Sequence, residues 1–142
     1  MLRILLPVDG SENALRAVRH VIDDADWYRD PLELHVLNVQ LPVASGAVKM
    51  FISHTQLNDF YRDEGNAALK EARAALDAAK VAYRHHIGVG ELGATITDFA
   101  RQLDCALVIM GTHGRGGVAG AMLGSVATKV IHLSPVPVLL VK

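Results

Sequence analysis

Apolar positions along the chain form two kinds of pattern, short continuous runs and longer stretches with helical spacing. Short runs stopped by glycine, proline or aspartate are typical of buried strands, whereas apolar residues that recur every three or four positions are typical of amphipathic helices. The short runs predict five strands, over residues 2–8, 32–39, 81–87, 105–110 and 136–141. The helical spacing predicts four helices, one after a cap at Asp9 or Ser11 and three over residues 56–79, 94–103 and 125–133.

Strands and helices therefore alternate along the whole chain. This alternation predicts an α/β fold in which a parallel sheet is covered on both faces through right-handed crossovers. Neither a repeat nor a linker interrupts it, so residues 1–142 are predicted to form one domain. In such sheets a ligand binds beyond the carboxyl ends of the strands, where the strand order reverses. The loops that follow the first and fourth strands are the candidates to flank that crevice.

Residues 40–55 lie between the second strand and the second helix and predict a long loop. Pro42, Ser45 and Gly46 favour irregular structure there. Because Val43 and Phe51 are apolar, we expect part of this loop to pack against the protein. Loops of this length are usually either functional or disordered, so a lid is one interpretation.

A glycine-rich segment follows the fourth strand and leads into the last helix. Its glycines stand at positions 111, 114, 116, 117, 120 and 124, and they let the backbone come close to a ligand. Ser125 occupies the position expected of an N-cap for the last helix. Exposed amides and the positive end of the helix dipole together favour the binding of an anion, and phosphate is the anion we expect.

The spacing of Gly111, two residues, Gly114, nine residues, then Gly124 and Ser125 resembles the nucleotide-binding loop of the universal stress protein family, in its ATP-binding branch. The segments at 7–11 and 135–138 are also similar to the family. The resemblance implies a five-stranded parallel sheet between four helices in the order 3-2-1-4-5, a Rossmann-like, adenine nucleotide α-hydrolase-like fold. It further implies a dimer that binds ATP, with Mg²⁺ arriving on the nucleotide.

The resemblance also implies a role for individual positions. Val8 and Asp9 would line the adenosine side, and the base would contact the apolar strand ends Val39 and Met110. The ribose and phosphates would meet the loop and the start of the last helix, at Gly111, His113, Gly114, Gly124, Ser125, Val126 and Ala127. Many ATP-binding members have a hydroxyl residue where this chain has Ala127, which predicts one weaker phosphate contact.

Arg115 is a candidate charge partner for the outer phosphates. Each of these positions also has a plainer interpretation. Apolar strand ends can simply belong to the core, Asp9 can simply cap the first helix, and His113 and Arg115 can be solvated loop residues.

Composition excludes several other classes of protein. The net charge of −1 offers no basic surface for nucleic acid or an anionic membrane. No apolar run is long enough to span a membrane and the N-terminus does not resemble a signal peptide, so we expect a cytoplasmic protein. The single cysteine, Cys105, is interpreted as a small core residue. The seven histidines show no metal-ligand spacing, and no metal site is predicted.

Two rival nucleotide motifs fail on their context. Residues 88–93 spell GxGxxG between a strand and a helix, but the acidic residue expected at the end of the next strand is missing. A P-loop is also excluded, because no GxxxxGK[ST] occurs and Lys129 lies four residues after Ser125.

The last strand, from Val136 to Val141, is apolar on both faces and lies at a predicted sheet edge. The resemblance implies a twofold dimer through this strand; the alternative is an edge that the chain's own loops shield. No catalytic residue can be assigned. We therefore expect an ATP-binding stress or regulatory module, with two alternatives: a slow ATPase or self-phosphorylating enzyme, modified for example at Ser125, and an interaction dimer that binds no nucleotide.

Overall fold

The computed structural model describes residues 1–43, 46–114 and 122–142, and these residues form one parallel sheet with helices on both faces. In chain order the elements are β1 (Leu2–Pro7), α1 (Glu12–Asp23), β2 (Leu32–Gln40), α2 (Gly46–Phe51), α3 (His54–Ala78), β3 (Tyr83–Val89), α4 (Leu92–Gln102), β4 (Leu107–Gly111), α5 (Ser125–Leu133) and β5 (Val138–Val141). A single 3-10 turn, Ala25–Trp27, follows α1. The strand order is β3-β2-β1-β4-β5, and every neighbouring pair is parallel. The predicted fold class and strand order are therefore confirmed.

Three of the strands, β3, β4 and β5, begin two residues later than the apolar pattern predicted. Val81 and Cys105 instead close the helices that precede β3 and β4: the Val81 N–H donates to Leu76 O, and the Cys105 N–H donates to Ala100 O. Just before each of them, Lys80 and Asp104 adopt the left-handed conformation, with φ of 57° and 52°. This arrangement is a Schellman motif, in which an apolar residue after the cap packs back on the helix. The apolar runs at 81 and 105 thus include a helix end as well as a strand.

The predicted loop at residues 40–55 contains the short helix α2, so the prediction of an irregular loop was wrong there. The following helix, α3, begins with a capping box, because Ser53 Oγ accepts from the Gln56 N–H and Gln56 Oε1 accepts from the Ser53 N–H. Val43 is fixed by a hydrogen bond of 2.8 Å from its N–H to the Tyr61 hydroxyl. Phe51, in contrast, is 86% exposed, so only part of this segment packs against the protein.

The core has two layers, one on each face of the sheet. Alternate residues of the strands point to opposite faces, so Ile4 and Leu6 pack against α1 and α3, whereas Leu5 packs with α4 and α5. Both layers contain fully buried aliphatic side chains. Burial on both faces explains why β4 and most of β1 are continuous apolar runs, whereas β2 also carries the buried polar residues His35 and Asn38.

The strand order reverses between β1 and β4, which are direct neighbours in the sheet. The carboxyl ends of both strands therefore lie side by side, and the segments that follow them flank one crevice.

Candidate functional site

A crevice opens beyond the carboxyl ends of β1, β2 and β4, between the first turns of α1, α4 and α5. Nine of the predicted site residues line it: Val8, Asp9, Val39, Met110, Gly111, His113, Gly114, Val126 and Ala127. Gly124 and Ser125 do not line the crevice, but they directly precede Val126 at the start of α5. Arg115 lies outside the described residues.

Sequence reasoning missed six lining residues: Pro7, Ala14, Leu37, Asn38, Leu92 and Ile96. Leu92 and Ile96 belong to the first turns of α4, and with Val39 and Met110 they make up an apolar part of the crevice lining. The sequence did contain a signal for Ile96, because this residue lies on the apolar stripe of the helix predicted over residues 94–103. Nothing in that stripe, however, indicates that its first turn reaches the end of a strand.

Asp9 directs the chain from β1 into α1. Its Oδ1 accepts a hydrogen bond of 2.9 Å from the Ser11 N–H, and Ser11 Oγ in turn accepts from the Ala14 N–H. Ser11 is therefore the N-cap of α1, and Asp9 supports that cap from two residues earlier. The other carboxylate oxygen, Oδ2, lies 2.9 Å from the position that a Cβ on Gly114 would occupy. The Asp9 carboxylate thus faces the glycine-rich segment from across the crevice.

The two described ends of the glycine-rich segment are joined by a clasp made of Thr112, His113, Met122 and Gly124. The Gly124 N–H donates to Thr112 O over 2.8 Å. His113 Nε2 lies 2.6 Å from Met122 O, and because a carbonyl can only accept, Nε2 carries the proton. In the neutral ring Nδ1 then accepts from the Thr112 hydroxyl, 2.9 Å away. The clasp brings the end of β4 next to the start of α5.

Helix α5 begins differently from the prediction, since its N-cap is Gly124 and not Ser125. Gly124 is extended, with φ of −61° and ψ of 157°, and within the described part of the chain no side chain caps the helix. The physical reason is the clasp, which holds Gly124 against Thr112 and leaves Ser125 as the first helical residue. Ser125 is exposed, and its hydroxyl is not engaged as a cap. The first amides of α5 therefore lie beside the crevice with the positive end of the helix dipole.

The start of α4 shows the opposite arrangement. Glu91 caps it, with its carboxylate accepting from the Gly93 and Ala94 N–H groups over 3.2 and 2.7 Å. These hydrogen bonds, above all that from Ala94, and the Lys129 ammonium 3.5 Å away lower the pKa of the Glu91 carboxyl. Because this carboxylate already occupies the helix start, the GxGxxG motif at residues 88–93 has a structural role. Gly93 leaves room for the Lys129 side chain, which a Cβ would approach to 2.8 Å.

The remaining titratable groups of interest lie away from the crevice. His35 is buried, and its Nε2 lies 3.0 Å from Glu33 Oε1 while its Nδ1 lies 2.9 Å from His86 Nε2. Burial raises the pKa of the Cys105 thiol to about 11, which keeps it protonated, as expected of a core residue. Among the described residues no group of three or more histidine, cysteine or acidic side chains could hold a metal ion. No helix in the described part of the chain is long and apolar enough to cross a membrane.

Sequence comparison relates the whole chain to one family. The model of the universal stress protein family matches residues 1–142. Universal stress protein MJ0531 of Methanocaldococcus jannaschii is 30% identical over 145 residues, which cover 99% of this chain and 81% of the relative. Universal stress protein Rv2624c of Mycobacterium tuberculosis is also 30% identical and is matched over 97% of this chain, but the chain spans only about half, 47%, of that relative.

Solved structures share the fold over almost the entire chain. The protein MJ0577 is 29% identical with a TM-score of 0.79, and the match covers 99% of this chain and 94% of that one. Universal stress protein UspA from Lactobacillus plantarum is 23% identical with a TM-score of 0.81, covering 99% and 97%. At 23% identity, the similarity to UspA shows only that the two chains share a fold.

Some of the solved neighbours carry nucleotides. A universal stress protein in complex with cAMP is 24% identical with a TM-score of 0.72 and covers 99% of this chain and 97% of that one. An Arabidopsis thaliana family protein with AMP bound is 14% identical with a TM-score of 0.70, covering 100% and 92%. A universal stress protein from Archaeoglobus fulgidus in complex with dAMP is 23% identical with a TM-score of 0.66, covering 100% and 98%. With the family model matching from end to end, this chain belongs to the universal stress protein family.

Proposed function

We propose that the crevice binds ATP and that the protein is a nucleotide-responsive regulatory module of the universal stress protein family. The observation that carries the proposal is the start of α5, which no side chain among the described residues caps and which the clasp holds beside an apolar crevice. The nucleotides bound to the neighbours described above, cAMP, AMP and dAMP, support an adenine nucleotide as the ligand class.

The two ends of the crevice suit the two ends of a nucleotide. Val39, Leu92, Ile96 and Met110 offer an apolar surface to a purine ring. At the other end, the amides of Ser125, Val126 and Ala127 begin α5 and are suited to a phosphate group. Between these ends lies Gly114, where a Cβ would approach Asp9 Oδ2, also a lining residue, to 2.9 Å. The residues present thus fit the nucleotide, and a bound Mg²⁺ would neutralise charge on its phosphates.

We also propose that two copies associate through β5 in the cytoplasm. Leu139 of this edge strand is 37% exposed, and Ile131 and Leu133 of the adjacent α5 are exposed by 43% and 44%. An apolar edge strand of this kind presents unpaired backbone groups that a second copy can satisfy.

Slow ATP hydrolysis or self-phosphorylation is the second candidate function. Its supporting observation is that the exposed Ser125 hydroxyl does not cap α5 and so stays available at the phosphate end. Among the described residues that line the crevice, Asp9 is the only carboxylate, and it already accepts from the Ser11 N–H. The binding role is therefore favoured over fast catalysis.

The test is thermal unfolding of nucleotide-stripped protein with Mg-ATP, with Mg-GTP and without nucleotide. A ligand that binds only the folded state at a hundred times its dissociation constant adds about 2.7 kcal/mol of stability. Gly124→Val should remove the ATP effect, because its Cβ would lie 3.2 Å from both His113 Cα and Thr112 O. Gly46→Val is the matched control, since a Cβ at Gly46 meets nothing within 4 Å. An unchanged melting temperature of the wild-type protein at saturating ATP would refute nucleotide binding.

A further inference from the structure

The strands β1 and β2 separate at the edge of the crevice. Their backbone pairing ends where the Val8 N–H donates to Leu37 O over 2.7 Å. Beyond this point β2 continues alongside β3 as far as Gln40, which pairs with Val89, whereas β1 has already ended at Pro7. The end of β1 therefore needs another attachment to hold its position.

Asn38 provides that attachment with its side chain. It is 3% exposed, and its Nδ2 donates to Val8 O over 2.8 Å. Its Oδ1 accepts from the Gln40 side-chain amide. Both ends of the Asn38 amide are thus engaged, and its orientation is fixed, because the Val8 carbonyl can only accept.

The hydrogen bond from Asn38 to Val8 O affects several residues that line the crevice. Val8 and Asp9 line it directly, and Asp9 in turn accepts from the Ser11 N–H at the start of α1. Asn38 itself and the neighbouring Val39 also line the crevice. Val8 is 5% exposed, so without Asn38 its carbonyl would lose a partner in a place that water reaches poorly.

We propose that Asn38 is a positioning residue for the nucleoside end of the site, acting through the Val8 carbonyl. The inference rests on the proposed nucleotide binding and assigns the two ends of the site to different structural elements. Asn38 sets the geometry of the base and ribose end, whereas the start of α5 sets that of the phosphate end. Removing the Asn38 donor should therefore weaken the binding of every ligand that contains the nucleoside. The binding of a phosphate chain that lacks the nucleoside should not change.

The experiment measures dissociation constants of adenosine, ATP and inorganic tripolyphosphate by calorimetry, at a temperature where each variant is folded. Asn38→Ala and Asn38→Asp both lose the donor, and the second keeps nearly the same size. We expect adenosine and ATP to bind about tenfold more weakly to each variant, with tripolyphosphate unchanged.

Thr97→Val is the matched control, because Thr97 is also 3% exposed and its hydroxyl donates to Ala94 O within α4. It should lower the melting temperature without altering the affinity for adenosine. Wild-type affinity for adenosine in both Asn38 variants, or an equal loss in Thr97→Val, would overturn the inference alone. Failure of the wild-type protein to bind adenosine and ATP would instead overturn the proposed function.

Discussion

Replacing Gly111 by alanine should destabilise the protein before any nucleotide is added. Gly111 ends β4 and is packed against the first turn of α1. A Cβ at this position would lie 2.7 Å from Asn13 O and 2.8 Å from Asn13 C. These are backbone atoms of a helix that is itself packed on the sheet, so the contact cannot be relieved by rotating a side chain.

The expected cost follows from this geometry. Overpacking against a fixed backbone typically costs about 1–3 kcal/mol, and we take about 2 kcal/mol for Gly111→Ala. For a chain of this length that corresponds to a fall in melting temperature of about 7 °C. The measurement is thermal unfolding followed by circular dichroism, with urea unfolding as an independent estimate of the free energy.

Gly114→Ala serves as the contrasting variant. There the nearest atom to a new Cβ is Asp9 Oδ2, at 2.9 Å, the far end of a side chain that can rotate away. We expect Gly114→Ala to cost less stability than Gly111→Ala but to weaken ATP binding, because Asp9 lines the crevice. Gly46→Ala, in open space, should have little effect on either quantity. A Gly111→Ala protein that unfolds at the wild-type temperature would refute the reasoning from close backbone contact.

Three further predictions concern other parts of the molecule. His113→Ala removes the clasp hydrogen bond to Met122 O, so the affinity for ATP measured by calorimetry should fall several-fold. Thr112→Val leaves that hydrogen bond in place and should have a smaller effect. Equal ATP affinity of His113→Ala and the wild-type protein would contradict the role of the clasp. Desolvation by burial, then the charges of nearby His35, His85 and Arg84, lower the pKa of His86, so the folded state resists protonation. Stability should therefore be lost as the pH falls below about 6.5, and His86→Gln should reduce that loss in urea unfolding at pH 5 and pH 8; an identical pH dependence would contradict it. Leu139→Glu places a charge on the β5 edge and should shift light-scattering mass from dimer to monomer without lowering ATP-induced stabilisation; a wild-type protein that is already monomeric would contradict the proposed dimer.

The sheet was predictable because its central strands β1, β2 and β4 are largely buried on both faces. Short apolar runs such as those of β1 and β4 are typical of buried strands, and their alternation with amphipathic helices predicts a parallel sheet. The exact strand starts were not predictable. Val81 and Cys105 are apolar like strand residues, but they close helices whose left-handed caps, Lys80 and Asp104, are not the glycines usually found there.

The candidate site was predictable on its loop side and not on its helix side. The glycine spacing locates the segment from Gly111 to Gly124, because glycine is the residue that permits close backbone approach. The N-cap was misassigned to Ser125 since the contact that decides it, the Gly124 N–H to Thr112 O, joins residues twelve positions apart. Asn38 was missed for the same reason: its partner Val8 lies thirty residues earlier in the chain.

The most direct test of the central claim is an NMR titration that follows the backbone amides at two helix starts. If ATP binds as proposed, the amide resonances of Ser125, Val126 and Ala127 shift on addition of Mg-ATP and approach saturation. Those of Gly93 and Ala94, whose N–H groups already bond to Glu91, should change far less. Saturable shifts at the start of α4 with none at the start of α5, or no saturable shifts at all, would contradict the assignment of the phosphate site.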